Sequence, residues 1–190
     1  MHSLNRVTED SHYYLSPEQN KKAAAMLVKA AAEGELDYAL GRLIQWGAKK
    51  LGRTITDKQK KSIDAVAKSA IPLVGSIASA ATGKPKYTKM AKAAAFHYDD
   101  IEPAYDALKA RVSGWFNEVD HELDYESATR VVNTVTKTLS TISHRPDINT
   151  PHKIQALLQA RLAQPLSGGK QQSGTWYRRG GQVILSGAGQ

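Results

Sequence analysis

Residues 69–83, SAIPLVGSIASAATG, decide the fold. They hold no charged residue, although Lys68 and Lys84 bound them on either side. From the preceding turn onward, apolar residues recur at helical spacing: Ile63, Val66, Ala70, Val74, Ile77 and Ala81. Small residues return every fourth place at Gly75, Ser79 and Gly83, a strip that lets another backbone come close. Pro72 lacks the N–H that a helix interior needs, so the path should break or kink near Ile71. The stretch therefore predicts a central kinked helix or hairpin on which more polar, one-sided helices pack. Ala70, Val74, Gly75, Ile77, Ser79 and Gly83 are the expected packing residues, within one copy or between copies. A membrane crossing takes about 20 apolar residues. This shorter run, interrupted by Pro72, reads as a buried core helix.

On its N-terminal side, residues 1–15 show no period and read as a loose segment. Ser16-Pro17-Glu18-Gln19 starts a helix: Ser16 is a cap, Pro17 has a preset φ, and Gln19 can close a capping box. That helix runs to Glu33 and stops at Gly34. The next begins near Glu35, carries the stripe Leu36, Leu40, Leu43, Gly47 and Leu51, and ends at Gly52. Ile44 widens the stripe, and Trp46 lies beside it. Thr56 and Gln59 form a second capping box, which leads into the central stretch.

On the C-terminal side, Gly83, Lys84 and Pro85 close the stretch, and an Ala-rich helix follows over residues 87–98. Residues 100–124 carry the strongest pattern. Ile101, Tyr105, Leu108, Val112, Trp115 and Val119 form a heptad-like seam, extended by Leu123, which predicts one long bundle helix. Residues 125–143 place Ala128, Val131, Val132, Val135, Leu139 and Ile142 on one helical face, despite Thr and Val, which favour strands. Thr150 caps a last helix with Pro151 in its first turn, and Pro165 closes it. Residues 16–164 thus predict a mainly α domain, a bundle of six or seven helices.

Residues 165–174, PLSGGKQQSG, read as a flexible linker. Beyond it the period changes. Two short strands flank Gly180-Gly181, a turn that tolerates positive φ, with Trp176 opposite Leu185 and Tyr177 opposite Ile184. A lone two-stranded hairpin is marginal in water. Residues 175–190 are therefore expected to dock on the bundle or on a partner. The docking residues would be Trp176, Tyr177, Arg178, Arg179, Gly180, Gly181, Val183, Ile184 and Leu185.

The formal charge is +8 over 190 residues, unevenly spread. Residues 41–92 hold twelve Lys and Arg against two Asp, whereas residues 97–126 hold nine Asp and Glu against Lys109 and Arg111. The basic block can face the acidic one, or present Lys49, Lys50, Arg53, Lys58, Lys60, Lys61, Lys84, Lys86, Lys89 and Lys92 to an anionic partner. Nucleic acid and an anionic membrane surface are both open on charge alone. The lysines are scattered over several helices, and no helix-turn-helix or stacking set accompanies them.

No pattern for catalysis is present. The chain has no Cys, which excludes disulfides, thiolate metal sites and Cys nucleophiles. Glu118 to Glu122 is the densest cluster of acids around a His, but it lacks HExxH and is not doubled as in a di-iron bundle. Gly168-Gly169-Lys170 lacks the remaining residues of a phosphate loop. Gly75-Ser76 is no nucleophile elbow. No catalytic, cofactor or metal residues are expected. The N-terminus lacks the apolar core of a secretory signal, so location in the cytoplasm or export within a particle are both open.

The ending TWYRRGGQVILSG resembles the W-x-R-R-G-[GN]-x-[IV]-x-L ending of a loose group of uncharacterised bacterial proteins, which also carry an Ala-rich helix and an apolar segment. The resemblance implies a bacterial or phage-like source and no particular activity. The combined expectation is a non-enzymatic structural or cargo component of a larger bacterial assembly. It would self-associate through the Gly/Ala/Ser-rich helix and dock on a protein partner or its own copies by the hairpin. The alternative is a basic protein for nucleic acid or an anionic membrane. A membrane-permeabilising effector would rest on the same short apolar run.

Overall fold

The computed structural model of the chain describes residues 15–95, 101–166, 175–179 and 182–186. The loose segment expected before residue 15, most of the expected linker and the Gly180-Gly181 turn lie outside them.

The first three helices begin and end where short polar signals sit. In α1 (Pro17–Ala32), Gln19 N–H donates to Ser16 Oγ at 3.2 Å, and Ser16 N–H donates to Gln19 Oε1 at 3.2 Å. Gly34 follows at φ +71° and turns the chain into α2 (Leu36–Leu51). Thr56 and Gln59 repeat the reciprocal cap at the start of α3 (Asp57–Lys68). Gln59 also reaches out of its own helix. Its buried amide donates to the carbonyls of Ile142 at 2.7 Å, Arg145 at 3.1 Å and Ile148 at 3.3 Å.

The central stretch is a break rather than a bend within one helix. A continuous helix would need Pro72 to donate to the carbonyl of Lys68, and it has no N–H to give. The chain stops α3 at Lys68 and restarts as α4 (Ile71–Thr82), with Pro72 in the first turn, where no donor is required. The two axes differ by 67°. All of α4 from Ile71 to Ala80 is buried. It is enclosed by α2, α5 (Lys86–Ala95), α7 (Ser113–Glu122) and α9 (Pro151–Leu162).

The single helix expected over residues 100–124 is corrected to two, α6 (Ile101–Arg111) and α7. The backbone leaves helical geometry at Val112, φ −102° and ψ 9°, just before the weak helix formers Ser113 and Gly114. The break lets the two halves reach different targets. In α7, Trp115 and Val119 enter the core beside α4, while α6 carries Tyr105 and Lys109 to Asp37 of α2. With this break and the one at Pro72, nine α-helices stand among the described residues where six or seven were expected.

Helix α8 (Tyr125–Ser143) forms despite its Thr and Val content. Val131, Val132, Val135, Leu139 and Ile142 are fully buried on one face. Thr129, Thr136, Thr138 and Thr141 donate their hydroxyls to the carbonyl four residues back, at 2.6–3.0 Å, so these polar groups are satisfied locally. Its start is fixed by Asp124, whose carboxylate accepts from Ser127 N–H at 2.7 Å.

Candidate functional site

The small-residue strip is used inside the chain. A Cβ placed on Gly75 would stand 2.8 Å from Ala91 Cβ and 2.8 Å from Trp115 Cζ3, so α5 and α7 both lean on this one position. Trp115 in turn meets Tyr87 edge-on, with ring centroids 6.2 Å apart. Ala70, Val74, Ile77 and Ser79 are buried alongside. Gly83 is corrected: it is exposed at φ +69° and serves as the left-handed cap of α4. A second copy could reach the strip only if α5 and α7 moved away. Gly41 makes a closer approach than any of these and was not legible as such. A Cβ there would collide with the carbonyl oxygen of Ala67, where α2 crosses α3.

A few bonds fix which helix ends lie together. Gln59 ties the start of α3 to the end of α8, Ser62 Oγ donates to Asn149 O at 2.8 Å before α9, and Gly47 rests on Leu139. The end of α2, the start of α3, the end of α8 and the start of α9 therefore share one end of the bundle. Elsewhere, Leu166 N–H donates to Ala80 O at 3.3 Å, and Arg130 donates to Leu166 O. Leu166 is thus held beside the last turn of α4 and the first half of α8.

This placement divides the ten expected basic residues, all exposed, into two groups. Lys49, Lys50, Arg53, Lys58, Lys60 and Lys61 lie on the end of α2, the turn after it and the first turns of α3. Arg145 and Lys153 join them across the Gln59 clamp, and sequence reasoning missed both because their nearness is tertiary. Lys84, Lys86, Lys89 and Lys92 lie on the turn after α4 and along α5. With two 12-residue helices meeting at 67°, the start of α3 and the end of α4 are about 30 Å apart.

The two groups differ in their partners. Lys84 Nζ meets Glu118 at 2.8 Å; this bond raises the lysine pKa and lowers that of the carboxyl. Lys86 lies 4.7 Å from the Tyr87 ring centroid. At the other end Lys60 meets Asp57 at 3.4 Å, and Arg145 meets Asp147 at 2.7 Å, which holds Asp147 below the usual carboxylate range. Lys49, Lys50, Arg53, Lys58 and Lys61 form no ion pair among the described residues.

One buried charge lies outside every sequence expectation. Asp37, in the first turn of α2, is 1% exposed. It accepts a hydrogen bond from Tyr105 Oη and meets Lys109 Nζ at 3.4 Å. Burial, then the bond to Asp37, push the Tyr105 hydroxyl well above the ordinary tyrosine range. A helix N-terminus favours a carboxylate, so this trio pins α6 to α2.

Concave regions lie on the bundle among the described residues. A cleft of about 400 Å³ at the α4 C-terminus is lined by Ser79, Thr82, Thr88 and Ala163 among others. A groove of about 280 Å³ between α1 and α2 is lined by Met26, Leu43, Trp46, Lys22 and Arg42. Neither gathers a base, a nucleophile and a third orienting group. Among the described residues no three His, Asp or Glu side chains converge as metal ligands. Glu118, Asp120, His121 and Glu122 lie on α7, with Glu118 turned to Lys84.

No single described helix is long and apolar enough to cross a membrane. The bent pair α3–α4 meets the length and composition requirement only when taken together. The side chains of the expected docking residues Trp176, Tyr177, Arg178, Arg179, Val183, Ile184 and Leu185 lie outside the described set, as do Gly180 and Gly181. No protein family model matches the chain, no curated protein matches its sequence, and no solved structure matches its fold.

Proposed function

We propose that the chain is a non-enzymatic structural or cargo component of a larger bacterial or phage-like assembly, attached by its C-terminal hairpin. The observation that carries this reading is the way the helices cover one another. Among the described residues the large exposed apolar side chains are only Tyr38, Met90 and Tyr125, and they lie on three different helices. The bundle thus has little apolar surface left for a partner.

The C-terminal residues are the segment with a different period. As a hairpin, Thr175–Arg179 would pair antiparallel with Gln182–Ser186, with Trp176 opposite Leu185. A two-stranded unit offers open edges, and strand addition to a partner's sheet satisfies them. The burial of α4 removes its small-residue strip as a ready surface for self-association, so attachment falls to the hairpin.

Truncation after Leu166 tests the proposal, because Leu166 is itself buried and bonded to the bundle. In gradient sedimentation of lysate from the source cells, the full chain is expected to travel with a high-mass particle. The truncated chain, with unchanged helix content by circular dichroism, is expected to stay near the top. Equal sedimentation of both would overturn the hairpin as the attachment element, and absence of both from any particle would overturn the assembly role.

A further inference from the structure

We infer that the end of the bundle built from α2, α3 and the α8–α9 turn binds the phosphate backbone of nucleic acid without reading bases. This inference does not depend on the hairpin. Lys49, Lys50, Arg53, Lys58 and Lys61 project there, exposed and without ion-pair partners among the described residues. Lys153 stands beside them, its Nζ donating to Asp147 O at 2.9 Å, and so does Arg145, whose guanidinium is already paired with Asp147 at 2.7 Å. In the other basic group Glu118 answers Lys84 alone, and the three remaining lysines are spread along α5. Folding thus gathers five basic side chains without an ion pair at one end of the molecule, beside the Lys60–Asp57 and Arg145–Asp147 pairs.

The dimensions suit a duplex. Three helices abreast at 8–10 Å spacing span about 20 Å. One strand of a duplex presents about six phosphates over that length, at 3.4 Å each. The chemistry favours a polyphosphate over the other anionic partners. Protein interfaces are depleted of lysine at their centres. Surface-bound membrane proteins pair basic residues with inserted apolar ones. Here the apolar residues of the turns, Ile55 and Ile148, are buried, and the exposed Tyr38, Met90 and Tyr125 lie on the first turns of α2 and α8 and on α5. With no projecting recognition helix, the contact should be independent of base sequence.

Fluorescence anisotropy of the full chain with a labelled 20-base-pair duplex of arbitrary sequence tests this, titrated from 25 to 200 mM NaCl. Five phosphate contacts predict a slope of about −4.5 in log affinity against log salt. The variant Lys50→Gln, Arg53→Gln, Lys58→Gln, Lys61→Gln should lower the steepness to about −1 and lose at least about tenfold in affinity at 50 mM salt. The triple variant Lys86→Gln, Lys89→Gln, Lys92→Gln should change affinity less than about twofold, as should truncation after Leu166. A scrambled duplex should bind equally. No binding at 25 mM salt would overturn the inference, as would equal loss in the two lysine variants. Tighter binding to phosphatidylserine vesicles than to the duplex would assign the end to a membrane instead. Salt-dependent growth in mass without DNA, lost in the quadruple variant, would assign it to the acidic face of another copy.

Discussion

Replacing Gly75 by alanine isolates the packing on which the bundle turns. On an open helix this change stabilises by about 0.5–1 kcal/mol, because glycine loses more backbone freedom on folding. In α4 the new methyl would sit 2.8 Å from Ala91 Cβ and 2.8 Å from Trp115 Cζ3. Neither neighbour yields easily. A Cβ moves only with its backbone, and the Trp115 ring is already held edge-on by Tyr87. Overpacking of this kind costs about 1–3 kcal/mol. The net expectation is a loss of about 1–2 kcal/mol, equivalent to a fall of about 2–8 °C in melting temperature for a chain of this size. Gly114→Ala is the matched comparison, because its Cβ would meet nothing within 4 Å; it should leave stability unchanged or raise it slightly. Urea unfolding followed at 222 nm measures both. A Gly75→Ala chain as stable as the parent would show that α5 and α7 do not close on α4 as described.

Further outcomes follow from the polar contacts. Gln59→Ala removes a cap and takes the donor from the buried Ile148 carbonyl, while Ile142 O keeps the Arg145 N–H at 3.0 Å, and should cost about 1–3 kcal/mol. Gln19→Ala, in the exposed version of the same box, should cost less than about 1 kcal/mol by the same urea assay. Asp37→Asn weakens the hold on Lys109 and Tyr105, so amides of residues 105–111 should exchange with deuterium faster while those of α8 stay protected. For Asp124, the bonds from Ser127 lower the carboxyl pKa in the folded chain. Its contribution is therefore present above the unfolded value near about 3.9 and is lost as pH falls through the lower folded value. Asp124→Ala should cost about 1 kcal/mol at pH 7, and the difference from the parent should shrink toward nothing in strong acid.

The sequence announced the local events and missed the tertiary ones. Ser16 with Gln19, Thr56 with Gln59, and Thr150 with Pro151 mark helix starts because a cap is made within four residues. Gly34, Gly52 and Gly83 mark stops because the backbone there must take positive φ. The uncharged run over residues 69–83 identified the centre, since only a buried helix can omit charge on every face. The break at Val112 was hidden because both halves keep apolar residues at helical spacing while aiming at different partners. Gly41 looked like one glycine among several; only the crossing of α2 over Ala67 gives it a role. The split of the basic block was equally hidden. Charge along a chain does not tell which lysines will meet Glu118 and which will be left facing solvent.

Hydrogen exchange of α4, read by mass spectrometry at several protein concentrations, tests the central claim that this helix is enclosed within one copy. The account predicts that amides from Val74 to Thr82 exchange only at the rate of global unfolding, with the same protection at low and at high concentration. Exchange that is fast in dilute protein and slows as concentration rises would contradict it, because the strip around Gly75 would then be covered by a second copy rather than by α5 and α7.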